Sequence, residues 1–280
     1  MAAGDLSLLV PEWQGCGAVS DVGAGARALA AQYGANAFTT IEAPDQEVLA
    51  TDDGVIGLSS IAARAQEALA AIDARRPLRI FTIAGTCGAE VAPVSYLAGR
   101  YGPDFAVVWL DAHGDLNTPK SSPSSRFHGM VLRTLMGDGP AALVSLVRRP
   151  LVPTQVVLAG VRSLDRDEAT FISDTAISRL APADLLVPDR VTGRLRSGGF
   201  TKIYIHLDLD VLDPIEFPDV LVPAPGGVSI TALTETVRNL ASSFDIVGFS
   251  VVELRPVSHD AAARARRLLD GFGLQLGAME

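Results

Sequence analysis

Two short runs of the sequence carry ligand-type side chains at alternate positions: Asp111-Ala112-His113-Gly114-Asp115 and Asp208-Leu209-Asp210. Residues two apart in extended backbone share a face, so each run can spread carboxylate and imidazole groups along one edge and reach neighbouring cations. Clustered carboxylates repel one another by several kcal/mol unless positive charge neutralises them. Mixed carboxylate and imidazole donors suit manganese or another first-row divalent ion, and the charge of Asp111, Asp115, Asp208 and Asp210 together matches that of two such ions. An aspartate after a strand is also a common turn or N-cap residue. Two such runs, with His113 between carboxylates, favour the metal site over a pair of turns.

These runs need a scaffold to hold them. Short apolar, β-rich segments at 6–10, 79–84, 106–110, 155–161, 202–207 and 246–252 are expected strands. Between them, Ala-rich segments with 3.6-residue periodicity at 24–33, 58–74, 91–99, 129–136, 166–172, 230–241 and 261–272 are expected helices. Near-continuously apolar strands alternating with helices imply an α/β fold whose central, mostly parallel sheet is covered on both faces. The Gly/Pro-rich stretches 118–125 and 213–227 follow strand ends and lack linker character, so 1–280 reads as a single domain.

In an open parallel sheet, ligands bind beyond the carboxyl ends of the strands. Cys87 follows the strand at 79–84, in Gly85-Thr86-Cys87-Gly88, and the Asp111 run follows 106–110. Arg162-Ser163-Leu164-Asp165 follows 155–161, Asp208 and Asp210 end 202–207, and Glu253-Leu254-Arg255-Pro256 follows 246–252. Carboxylates, a histidine and a cysteine therefore converge on one rim.

Composition narrows the partners. With 48% hydrophobic residues and a mean hydropathy of +0.29, the chain is not disordered as a whole. A net charge of −9 argues against nucleic acid, which needs a basic face. No apolar run reaches the roughly 18 residues of a membrane span, and no basic segment leads an apolar one at the start. Cys16 and Cys87 are too few for a disulfide framework, so a cytoplasmic protein is expected.

Taken with Phe127-His128-Gly129-Met130, Asp213-Pro214 and Glu253-Leu254-Arg255-Pro256, these motifs resemble the ureohydrolase family of arginases, agmatinases and guanidino-acid hydrolases. The resemblance runs in order from about Leu9 to Pro256. It implies a three-layer α/β/α sandwich, two manganese ions, cleavage of a guanidine to an amine and urea, and assembly as a homo-oligomer, a trimer or hexamer. By the same resemblance, Asp111 and Asp208 would bridge the ions. Cys87 and Asp115 would complete one shell, and His113 and Asp210 the other. His128 would shuttle protons, and Glu253 would hold the guanidinium. Asn117 would contact a substrate carboxylate, and Asp165 an α-amino group. Of the other histidines, His206 is expected to pack within its strand and His259 to lie near the start of the last helix.

Two departures stand out. Where the family writes Gly-Gly-Asp-His-Ser, this chain has Ala84-Gly85-Thr86-Cys87-Gly88, so a thiol replaces an imidazole. Arg126, in Ser124-Ser125-Arg126-Phe127, stands where arginases have an Asn that helps bind the substrate carboxylate, so Arg126 would bind that carboxylate or else close the pocket. Cys-for-His members include the N-hydroxyarginine hydrolase of D-cycloserine biosynthesis, which this chain resembles. The expected activity is thus hydrolysis of N-hydroxy-L-arginine or L-arginine to ornithine and hydroxyurea or urea. The alternatives are an agmatinase or guanidino-acid hydrolase, and a metal-deficient homologue without catalysis.

Overall fold

Every residue of Phe105–Leu110 is buried, and the six are apolar throughout. Only a strand covered on both faces can be so. In the computed structural model, which describes residues 4–17, 21–34, 37–187 and 189–274, this strand lies inside an eight-stranded sheet. In chain order the strands are β1 (Asp5–Val10), β2 (Thr39–Thr40), β3 (Thr51–Asp52), β4 (Val55–Ile56), β5 (Arg79–Ala84), β6 (Phe105–Leu110), β7 (Val156–Ala159), β8 (Ser178–Leu180), β9 (Lys202–Asp208) and β10 (Asp245–Val252). The large sheet runs β2-β1-β5-β10-β9-β6-β7-β8, and β3 and β4 form a separate antiparallel hairpin. Every pairing in the large sheet is parallel.

Alternate residues of each strand feed opposite layers. Phe105, Val107 and Trp109 pack with helices Leu58–Arg75 and Val91–Tyr101. Ala106, Val108 and Leu110 pack on the other face with helices Val22–Ala31, Ile230–Ser243 and Ala261–Gly271. The result is the expected three-layer sandwich. The longest helix shows why its sequence folds this way. Leu58, Ile61, Ala62, Ala65, Ala68, Leu69 and Ile72 recur on one buried stripe, and left-handed Arg76 (φ 52°) followed by Pro77 ends it.

The main differences from the sequence expectations lie at the edges. Strands β2 and β8 have only two and three residues, too short to show a pattern. Helix Asp189–Ser197 was not anticipated; it buries only Val191, Thr192 and Leu195. The expected helix over 129–136 opens instead as a 3-10 turn, Phe127–Met130, before the α-helical Val131–Leu135.

The order of the strands decides where chemistry can gather. Strand β10 inserts between β5 and β9, so the carboxyl ends of β5, β10, β9 and β6 are adjacent. Leu110 pairs with Leu207 and Val252 with Asp208. That register sets Asp111 level with Asp208 and brings Glu253 one residue beyond, at the same rim.

Candidate metal centre

The loop after β5 is fixed by a close approach. A Cβ on Gly85 would lie 2.0 Å from the Glu12 carbonyl oxygen, so no side chain fits there. Thr86 caps the following 3-10 turn by accepting from the Gly88 N–H at 3.2 Å, and its hydroxyl donates to Glu12 Oε2 at 2.5 Å. Glu12 also accepts from the Gly15 N–H. Burial, outweighing these hydrogen bonds, pushes the Glu12 carboxyl up to about 7. This packing aims Cys87 inward: its Sγ lies 3.4 Å from Asp208 Oδ2 and 3.7 Å from Glu253 Oε1.

After β6 and β9 the backbone turns around its own carboxylates. Asp111 Oδ1 accepts from the His113 N–H at 2.6 Å, and Asp208 Oδ1 from the Asp210 N–H at 2.8 Å. Asp210 Oδ1 accepts from the Ala112 N–H at 3.1 Å, which ties the two runs together. The Arg162 guanidinium clamps the second run from behind, donating to the carbonyls of Asp210 (2.8 Å) and Ala224 (2.7 Å). Asp115 and Glu253 sit in the left-handed region at φ 52° and 62°, a conformation that costs about 1–3 kcal/mol and clusters at functional sites.

Among the described residues, ligand-type atoms fall into three overlapping groups, each within 4.8 Å: Cys87, Asp111, Asp115 and His206; Asp111, His113 and Asp210; Cys87, Asp208 and Glu253. Asp111 and Cys87 are each common to two of them, whereas Asp208 belongs to one. A divalent ion fits this donor set on a second count. Asp115 Oδ2, His206 Nε2 and Glu253 Oε2 are buried with no hydrogen-bond partner, and buried polar atoms are seldom left so.

Without cations the charges settle on protons. His113 Nδ1 lies 3.0 Å from Asp210 Oδ2 and 3.4 Å from Asp111 Oδ1. Burial opposes its charge, but those two carboxylates outweigh it and raise the imidazole to about 12. Burial drives the Cys87 thiol and the Asp115 and Asp208 carboxyls well upward, with neighbouring carboxylates adding to it. Asp210 rises to about 6, mainly by burial. Asp111 goes the other way, because the nearby imidazoles of His113 and His206 outweigh its burial. Metal ligands must shed these protons. Adding manganese to metal-free protein in weakly buffered solution near pH 7 is therefore expected to release roughly two or more protons per chain. Affinity should weaken as pH falls. Calorimetry in buffers of different ionisation enthalpy checks both.

Above the carboxylates opens a cavity of about 240 Å³. Cys87, His113, Asp115, Asn117, Arg126, His128, Asp165, Asp208, Asp210 and Glu253 all line it, whereas Asp111 is fully buried and does not. His128 Nδ1 is 3.1 Å from Glu253 Oε1, with the side chain 16% exposed. On the far wall Asn117 Nδ2 donates to Asp165 Oδ2 at 2.8 Å. Asp165 is also the N-cap of helix Arg166–Asp174. His259 is exposed two residues before helix Ala261–Gly271.

Two residues of the site went unrecognised in the sequence. Glu168 lines the cavity and accepts from the N–H groups of Leu116 and Asp165, at 2.9 and 2.8 Å. Its signal was the Asp165-x-x-Glu168 capping box. Glu90 sits in the turn with Cys87 and is fully buried against Tyr204 and His206. His206 packs within its strand as expected, and its ring also lies in one of the candidate ligand groups.

A sequence model described as "Arginase: Arginase family" matches residues 21–269. An arginase of Staphylococcus aureus strain COL is 34% identical over 181 residues, 62% of this chain and 60% of that one. The chain thus spans about 60% of the length of that relative. An arginase of Bacillus caldovelox is 32% identical over 221 residues, covering 74% of this chain and 72% of its own. In three dimensions, the Entamoeba histolytica arginase solved in complex with L-ornithine superposes with a TM-score of 0.86 at 21% identity, over 97% of this chain and 99% of that one. Among the described residues, no helix is long and apolar enough to cross a membrane.

Proposed function

This chain belongs to the arginase family, and from that premise we propose that it is a metal-dependent amidinohydrolase acting on a guanidino amino acid, N-hydroxy-L-arginine before L-arginine. The observation that carries the reading is the pair of ligand groups sharing Asp111, at the floor of a cavity that ends in Glu253 and His128. Two divalent ions would be held by Cys87, Asp111, Asp115 and Asp208 on one side and by Asp111, Asp208, His113 and Asp210 on the other, with manganese the family's usual choice. Bound there, they would supply Lewis acidity and a nucleophile from water at neutral pH.

The chain's own residues do the rest. Glu253, buried with Oε2 unpartnered, receives the planar guanidinium and holds its carbon over the floor. His128, against Glu253 and partly open to solvent, gives a proton to the departing amine nitrogen and recovers one from water. Asp165 takes the substrate's α-amino group, while Asn117 and Arg126 take its carboxylate, Arg126 with two parallel donors. A carboxylate and a guanidinium lining one cavity suit a zwitterion, which argues for an amino acid over decarboxylated agmatine. We place the protein in the cytoplasm as a homo-oligomer, in keeping with the family resemblance.

Cys87 sets the preference between guanidines. As a thiolate it adds one negative charge where the family has a neutral imidazole. That charge weakens the Lewis acidity and raises the pKa of bound water. It also softens the site toward zinc, cobalt or iron. A weaker nucleophile suits N-hydroxyguanidine, which is less basic and less locked in a resonance-stabilised cation. With arginine, N-hydroxyarginine, agmatine and guanidinobutyrate side by side, the expected order puts N-hydroxyarginine first. Cys87→His should move the kcat/KM ratio toward arginine while keeping both ions. An unchanged ratio would transfer selectivity to the pocket around Arg126, and agmatine in first place would select the alternative reading.

A further inference from the structure

His206 is fully buried in β9, and its two nitrogens have different surroundings. Nδ1 lies 2.8 Å from Glu90 Oε1, whereas Nε2 has no hydrogen-bond partner. A ligating histidine ordinarily donates its other N–H to a carboxylate, which fixes the tautomer and turns the remaining lone pair to the metal. Glu90 is placed to accept that bond, and Tyr204 holds it from the other side by donating to Oε2 at 2.5 Å. The register pairs Trp109 with His206, and the two rings stack at 3.5 Å and 15°, which fixes the imidazole plane. Nε2 is 3.8 Å from Asp111 Oδ2. That is too far for a hydrogen bond, and within the span of two donors each about 2.1 Å from one ion.

We propose that His206 is a metal ligand: the imidazole missing at the position of Cys87 is supplied instead from β9, through Nε2. The proposal rests on the metal-centre reading above and adds one donor to it. The site holding Cys87 then takes a thiolate, an imidazole, and the carboxylates of Asp111, Asp115 and Asp208, with the ligand atoms of Cys87, His206, Asp111 and Asp115 all within 4.8 Å of one another. It keeps a nitrogen donor despite the exchange at Cys87. Glu90 becomes a positioning residue that acts through His206.

The test is manganese binding together with the structure of the loaded protein. In the wild type, anomalous scattering should place an ion within about 2.3 Å of His206 Nε2; an ion beyond 3 Å, with Nε2 donating to Asp111, overturns the proposal. In equilibrium dialysis, His206→Ser should bind one of two ions at least ~10–100-fold more weakly. The double variant Cys87→His/His206→Ser should regain the second ion. Wild-type affinity for both ions in His206→Ser counts against the proposal, as does a double variant no tighter than His206→Ser. Wild-type protein that binds no ion at all would instead remove the metal-centre reading, and this proposal with it. The wild-type structure decides the matter even where His206→Ser does not fold.

Discussion

Asp208→Asn is expected to empty at least one metal position and to lower turnover by about 10³-fold or more. Asp208 ends β9, and its Oδ2 lies 3.4 Å from Cys87 Sγ, in one candidate ligand group with Cys87 and Glu253. An amide leaves the size nearly unchanged but removes the charge that a bridging ligand places between two cations. Losing several kcal/mol of Lewis-acid stabilisation corresponds to that fall, at about 1.4 kcal/mol per tenfold. The fold should survive, because the Asn carbonyl can still accept from the Asp210 N–H. Elemental analysis of the purified variant beside the wild type, with urea or hydroxyurea release, checks both halves. Two retained ions per chain would remove the bridging role.

His128→Asn should separate proton transfer from metal binding. Its Nδ1 contacts Glu253, and it belongs to none of the ligand groups. Both ions should therefore remain while kcat drops about 10²–10⁴-fold, the usual worth of a positioned general acid. His113→Asn is the matched control. His113 lies between Asp111 and Asp210, so its loss should cost metal. Equal metal loss in the two variants would make His128 a ligand.

The parts of this molecule that the sequence announced are those governed by local rules. The central strands are apolar at nearly every position because both faces are covered, and the rim aspartates follow them directly. Edge strands β2 and β8 are too short for any period, and helix Asp189–Ser197 buries only three side chains. The site was legible wherever its residues came as spaced runs, as at Asp111–Asp115. It was illegible where function depends on partners distant in sequence. His206 alternates like a core residue, and only the register with Trp109 and the bond to Glu90, 116 positions away, give its ring a direction. Glu12 shows the same limit: it follows β1, a strand end that carries no ligand run, yet it holds the Cys87 loop through Thr86.

Hydrolysis in ¹⁸O-labelled water bears most directly on the central claim, that this chain's carboxylate rim cleaves an amidino carbon–nitrogen bond. Manganese-loaded protein carrying two ions per chain is incubated with N-hydroxyarginine and, separately, with arginine, and the products are weighed by mass spectrometry. The expected result is one labelled oxygen in the hydroxyurea or urea and none in the ornithine, with N-hydroxyarginine consumed faster. Fully loaded protein that releases neither hydroxyurea nor urea from these substrates, from agmatine or from guanidinobutyrate would contradict it.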